Sequence, residues 1–339
     1  MTYLITSYNN LNVLAHNVKG RESQYDFSII ENGKITHHNL NTINPAFVLK
    51  NSKDNILYVC EETIYDGMLS SIRYDNKLEL IDRVSSFGKS SCYLELTSDG
   101  THIININYWD SSITIHPLKN NIISNIPPKI YNPIIPNNIV HKEDHLNDRQ
   151  TTSHHHSCVS YQDNLYVPDL GTDRIDIYKY ADNELNYDGY MQLPYGSGPR
   201  YGIIRNHVLY IVNELSSSVA VIFLDNMEIL QIISTIPDNW KNNTCSGIKV
   251  HPNGYIYVSN RGHNSIAVFK INPNGTLKLS RIVDSHGKTP RNFIITKKGD
   301  KLIVANQDSN NISIFDILED KLVFKEIFDC DSPNYITEL

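Results

Sequence analysis

The residues of this chain best suited to chemistry are a run of histidines, a set of arginines and one acidic residue beside an asparagine. His154-His155-His156 stands near the middle of the sequence and is followed at intervals by Arg200, Asn213-Glu214, Asn260-Arg261 and Arg291. A neutral imidazole, with an ordinary pKa of ~6.5, can take a proton from water near neutrality. Arginine presents a planar fork of donors that matches a carboxylate or a phosphate. Glu214 can orient the histidine, serve as the base itself, or pair with an arginine. Brought to one place, these residue types would bind an anionic polar ligand and act on it.

Other features read more plainly. His154 and His156 lie two apart, on one face of a strand and at a spacing that suits a metal ion, but no third ligand accompanies them. The expectation is therefore no metal and no cofactor. His141 and His145 read as surface residues, and Trp109 and Trp240 as packing residues. Asp169-Leu170-Gly171-Thr172-Asp173-Arg174 and Gly196-Ser197-Gly198-Pro199 have turn chemistry. There is no GxSxG elbow, no P-loop and no GxGxxG between strand and helix.

Something must carry these scattered residues to a common point, and the chain is a repeat. Leu57-Tyr58-Val59, Ile103-Ile104, Leu165-Tyr166-Val167, Leu209-Tyr210-Ile211, Ile256-Tyr257-Val258 and Leu302-Ile303-Val304 recur at spacings of 46, 62, 44, 47 and 46 residues. That period fits a propeller blade of ~40–50 residues. After each run comes a polar turn and a strand of period-two alternation, such as Ser265-Ile266-Ala267-Val268-Phe269. Ser332-Pro333-Asn334-Tyr335-Ile336-Thr337 resembles the first strand of the preceding blade, and its missing partners begin at Tyr3-Leu4-Ile5-Thr6-Ser7-Tyr8. The expectation is an all-β, seven-bladed β-propeller in which a C-terminal strand completes the N-terminal blade, leaving only short protected edges. Residues 1–339 then form a single domain. The one long spacing reflects an inserted Asn/Pro-rich loop at about 118–153, a candidate lid.

In such a ring, equivalent positions of different blades meet at the central channel. His156, Arg200 and Arg291 fall at one equivalent position beside the innermost strand, with Ser246 in the sixth blade. A second set follows the second strand: Glu61-Glu62, Asn107-Tyr108, Asp169-Leu170, Asn213-Glu214, Asn260-Arg261 and Asn306-Gln307. Three arginines converging in a protein of net charge −7 call for a carboxylate, a phosphate or acidic partner residues. That net charge, and the lack of basic clusters interleaved with aromatics, argue against nucleic acid. No apolar run reaches the ~18 residues of a membrane span, and Met1 to Asn10 lacks a signal-peptide pattern, so a cytoplasmic protein is expected. Five scattered cysteines fit buried packing in a reducing compartment.

The set Arg149-Gln150, His154-x-His156, Asp169-Leu170-Gly171-Thr172-Asp173-Arg174, Gly196-Ser197-Gly198-Pro199-Arg200, Val212-Asn213-Glu214-Leu215, Val258-Ser259-Asn260-Arg261-Gly262, Pro290-Arg291 and Ala305-Asn306-Gln307 resembles, in order and over nearly the whole chain, the seven-bladed propeller lactonases. These include the propeller-type 6-phosphogluconolactonases and the related carboxymuconate cyclases. The resemblance implies a channel site with His154 or His156, Arg200, Glu214, and Arg261 or Arg291; the expectation is that His156, Glu214 and Arg200 are catalytic, with His156 or Glu214 the base, and that His154, Arg261, Arg291 and Asn260 bind substrate. It also implies hydrolysis of 6-phospho-D-glucono-1,5-lactone, a small anionic lactone, by base-activated water. Tyr201, Thr151-Thr152 and Thr6-Ser7-Tyr8 depart from the family pattern. Two alternatives accompany this reading: ring closure of a muconate-type dicarboxylate, and a non-catalytic propeller that binds other proteins. A monomer is expected because closure consumes the sheet edges.

Overall fold

Each repeat supplies short runs of Ile, Val, Leu and Tyr, which fit a pleated surface covered on both faces. In a computed structural model, which describes residues 2–51, 54–75, 77–134 and 148–339, these runs form seven antiparallel sheets, the blades of a β-propeller. From the innermost strand outward, blade 5 consists of Pro199–Arg205, Val208–Asn213, Ser218–Phe223 and Glu228–Ser234. Blades 6 and 7 begin with Thr244–Val250 and Pro290–Ile295, blades 2 and 3 with Pro45–Asn51 and Ser91–Leu96, and blade 4 with Val159–Tyr161. Helical structure among the described residues is limited to three 3-10 turns, Leu11–Val13, Asp148–Gln150 and Gln307–Ser309.

Closure follows the expected plan. The last strand, Pro333–Glu338, is the innermost strand of blade 1 and pairs antiparallel with Thr2–Ser7, in register Leu4 with Thr337 and Ile5 with Ile336. The segment expected as an insertion is in part blade structure. Ile122–Ile123 and Lys129–Tyr131 both pair with the third strand of blade 3, Ile113–Lys119. Pro127-Pro128, which has no N–H to give a ladder, falls between them. Residues 135–147, which include His141, His145 and most of the candidate lid, lie outside the described residues.

The apolar core is divided into seven clusters, one between each pair of neighbouring blades. Between blades 5 and 6, for example, Tyr210, Val212 and Val221 pack against Val258, Ala267 and Phe269. Wedge packing of this kind seals the blades to each other and leaves the axis to other side chains. On one side of the axis an aromatic plug fills it. Phe47 lies 4.5 Å from Tyr93 and 4.6 Å from Tyr335, ring centre to ring centre, and Tyr93 lies 5.7 Å from Tyr201.

Candidate active site

Two features of the strands aim side chains at the axis above this plug. The first is a bulge near the start of the innermost strands. Register slips between Pro45 and Phe47, Ser91 and Tyr93, Pro199 and Tyr201, Cys245 and Ile248, Pro290 and Asn292, and at Pro333 to Tyr335 opposite Thr6 and Ser7. A bulge inserts one unpaired residue and redirects its side chain. The residues so placed are Ala46, Cys92, Arg200, Ser246, Arg291 and Asn334.

Blade 4 reaches the same position by another route. His155 forms a lone bridge with Asp169, and its ring is held between Ser111 O (2.8 Å) and Asp176 Oδ2 (2.9 Å). Burial opposes a charge on this ring, but Asp176 and Asp169 outweigh it and raise the His155 pKa. Asp169 accepts bonds from His154 N (2.7 Å), Gly171 N (2.9 Å) and the Ser153 and Thr172 hydroxyls. A side chain at Gly171 would meet Thr152 O at 1.7 Å, so only glycine lets the two segments approach. His155, Asp169 and Asp176 have the proximity of a metal cluster, but Asp169 is saturated by donors and His155 is bonded at both nitrogens. Their local effect is to fix the segment that presents His156.

The second feature is the end of each second strand, where neighbouring residues point opposite ways. The first residue of each pair is buried in its own blade. Asn107, Asn213, Asn260 and Asn306 each donate Nδ2–H to a serine in or just before the third strand, Ser112, Ser218, Ser265 and Ser313, at 3.0 to 3.2 Å. The second residue varies around the ring, as Tyr8, Glu62, Tyr108, Leu170, Glu214, Arg261 and Gln307, and Glu62, Tyr108, Glu214, Arg261 and Gln307 face the axis.

Together they surround a pocket of about 530 Å³ lined by His156, Arg200, Glu214, Arg261, Arg291, Glu62 and the loop residues Arg149 and His16. Glu214 is buried and clamped by three guanidiniums: Arg200 Nε at 2.7 Å, Arg261 Nη2 at 2.8 Å, and Arg149 Nη1. Burial alone would raise its carboxyl pKa, but Arg261, Arg149 and Arg200 hold it well below the usual range. Across the pocket, Glu62 accepts from Tyr8 Oη (2.6 Å), Arg291 Nη2 (3.3 Å) and His16 Nδ1 (3.3 Å). It too stays ionised against its burial. Because burial and Arg291 lower the His16 pKa, the guanidinium and the Tyr8 hydroxyl carry that effect at neutral pH. His156 is buried, and burial with the nearby Arg200 charge holds its pKa well below the ordinary value, so the imidazole is neutral. Four guanidiniums against two carboxylates leave a surplus of two positive charges, or one if Asp308 at the rim is counted. Arg261, lowered to about 10 chiefly by burial, remains charged. Such a pocket favours a small anion.

Five of the seven expected residues, His156, Glu214, Arg200, Arg261 and Arg291, meet at this pocket; His154 and Asn260 do not line it. His154 stacks on Tyr108 at 4.7 Å with Nδ1 3.2 Å from Tyr108 O. Asn260 is held in its blade by Thr235 and Ser265, its side chain turned away from the axis. Trp109, expected to be a packing residue, is 45% exposed and lines the pocket. Tyr201 lies just below, with the Arg200 guanidinium 4.4 Å above its ring. Glu62 was visible in the repeat but not singled out, whereas Arg149 and His16 come from loops that no periodicity marks.

An all-strand ring of seven four-to-five-stranded blades around an axial pocket defines the class as seven-bladed β-propellers. The chain belongs to the lactonase family of seven-bladed β-propellers, whose family model matches residues 2–332. It is 26% identical over 287 residues to the 6-phosphogluconolactonase of Bacillus subtilis, covering 80% of each chain. It is 30% identical over 296 residues to an uncharacterised protein of Staphylococcus saprophyticus, covering 83% of each. Its fold superposes on a periplasmic gluconolactonase of Pseudomonas aeruginosa with a TM-score of 0.84 at 22% identity, over 99% of this chain and 98% of the other. Among the described residues no helix is long and apolar enough to cross a membrane.

Proposed function

We propose that this protein hydrolyses a phosphorylated sugar lactone, with 6-phospho-D-glucono-1,5-lactone the leading candidate, as a cytoplasmic monomer without metal or cofactor. The observation that carries the reading is the charge surplus of the pocket, four arginines against two carboxylates, in a member of a lactonase family. The B. subtilis relative named for this reaction supports the choice of substrate.

His156 takes a proton from water as the water oxygen adds to the lactone carbonyl carbon. The carbonyl oxygen becomes an oxyanion against Arg200, the most deeply buried of the four arginines. The ring C–O bond then breaks, and the imidazolium of His156 returns the proton to the departing ring oxygen. Arg149 and Arg261, nearer the mouth, hold the phosphate. Glu214 is unsuited to be the base because both its oxygens are engaged by guanidiniums; it gathers the arginines instead. A lactone carbonyl is already an activated ester, so one oxyanion donor, worth about 3–4 kcal/mol, and a base worth about 10²–10⁴-fold are sufficient.

The decisive assay follows freshly generated 6-phosphogluconolactone above its spontaneous hydrolysis, with wild type and Arg200→Ala. Wild-type acceleration that falls by about 10²–10³-fold in the variant is expected. Wild type no faster than buffer removes this substrate and turns attention to another lactone or to a muconate-type dicarboxylate.

A further inference from the structure

Among the described residues, no carboxylate hydrogen-bonds the His156 ring to orient it as a catalytic imidazole normally is, and Nδ1 is enclosed without a protein partner. Below the pocket floor, between His156 and the aromatic plug, lies a second, much smaller chamber of about 10 Å³. Its walls include His156, Glu62, Asn292 and Asn334. Asn334 arrives at the bulge of the closing strand; its Oδ1 accepts from the Thr6 hydroxyl, while its Nδ2 is enclosed without a partner. Two fully enclosed polar atoms therefore belong to side chains that share one small cavity with an ionised carboxylate. Enclosed polar groups in folded proteins are almost always satisfied, by protein or by ordered water. A cavity of about 10–15 Å³ accommodates one water, which needs two to four polar partners.

We propose that this chamber binds one ordered water that joins His156 Nδ1 to Glu62 and Asn334 and so decides which ring nitrogen of His156 carries the proton. The assignment follows from donor and acceptor roles. Glu62, fixed by Tyr8, His16 and Arg291, can only accept, so the water gives it a hydrogen. Asn334 Nδ2 donates to the water oxygen. The other hydrogen of the water goes to Asn292 Oδ1 on the same wall, and the Arg200 and Arg291 guanidiniums there are taken by Glu214 and Glu62. The remaining lone pair of the water accepts from His156, which places the imidazole proton on Nδ1 and leaves the lone pair of Nε2 for the substrate side. The arrangement serves the purpose of a base held by a carboxylate, with a water inserted between them. Glu62 and Asn334 are positioning residues, acting on the reaction only through His156. The kinetic part of this inference rests on the lactonase reading; the water and the tautomer do not.

Three measurements test it. A high-resolution crystal structure of the wild type should show one water within hydrogen-bond distance of His156 Nδ1, Asn334 and Glu62. Nitrogen-15 NMR of the His156 ring should report the Nδ1–H form in the wild type and a shift toward Nε2–H in Asn334→Leu, whose side chain fills the chamber. In the same variant kcat should fall roughly ten- to a hundredfold, less than the ~10²–10⁴-fold worth of the base itself, with KM changed less than about threefold. Asn334→Leu also removes the bond from Thr6, so Glu62→Gln is the second variant. It keeps the side-chain volume, removes the acceptor-only constraint, and should relax the tautomer in the same direction. A chamber without water density, or a His156 tautomer unmoved in both variants, overturns the proposal. A wild type inactive on every lactone overturns the functional reading, while the crystallographic and NMR results still decide this one.

Discussion

Glu214 and Glu62 occupy equivalent places in blades 5 and 2, yet they hold the two sides of the pocket in different ways. Glu214 is surrounded by guanidiniums alone, three of them. Glu62 shares a single guanidinium with a phenol and a neutral imidazole. The difference comes from what the adjacent blades and loops present, since the strand geometry is common to both. Glu214 thus compensates the mutual repulsion of a cation cluster, whereas Glu62 organises neutral donors around one charge.

The contrast predicts unequal losses. Glu214→Gln leaves three guanidiniums facing one another, and uncompensated buried charge typically costs about 3–5 kcal/mol. Glu62→Gln keeps the phenol and imidazole paired in part, so about 1–3 kcal/mol is expected. Urea denaturation at pH 7 measures both, and equal losses would dissolve the distinction. A smaller effect is expected from acid. Each carboxyl has a folded pKa below its unfolded value near 4.5, so its stabilisation is complete above that pH and declines as pH falls toward the folded value. The urea midpoint of the wild type should therefore drop between roughly pH 5 and pH 3, and this slope should be flatter in Glu214→Gln. A wild-type midpoint constant over that interval would show that neither carboxyl is held ionised. The smallest change concerns the two residues of each strand end. Asn260→Ala should lose about 1–2 kcal/mol through its bonds to Thr235 and Ser265 and leave KM for the lactone within about twofold. A tenfold rise in KM at unchanged stability would return Asn260 to the substrate.

Most of the architecture was legible because a repeat states its own period. Blade number, the closing strand and both sets of axial positions follow from aligning six apolar runs. What alignment does not reveal is which member of an adjacent pair faces inward, since a strand sends neighbours to opposite sides. Asn260 was grouped with Arg261 for that reason. The recurrence of Asn at 107, 213, 260 and 306, beside a position that varies among Tyr, Glu, Leu, Arg and Gln, was the available sign that the first is structural. His154 and His156 were read as one strand face, but their segment is irregular apart from the bridge at His155, so His154 turns to Tyr108. Arg149 stood in a segment that resembles the family but outside the repeat, and His16 had no sequence signal, because a loop residue reaches the axis through contacts rather than periodicity. The bulges that direct Arg200 and Arg291 inward are likewise a matter of pairing, which one strand's residues do not disclose.

The strand that closes the ring has a consequence for synthesis on the ribosome. Thr6 and Asn334, bonded to each other, are 328 residues apart, so the first blade waits with an unpaired inner edge while the other six blades are made. Until the last strand emerges, the nascent chain has neither Tyr335 to complete the plug nor Asn334 beneath His156. Any activity in the axial pocket therefore begins only once the closing strand has paired. The interval before it is when the exposed edge of Thr2–Ser7 is open to chaperones and to pairing with other chains.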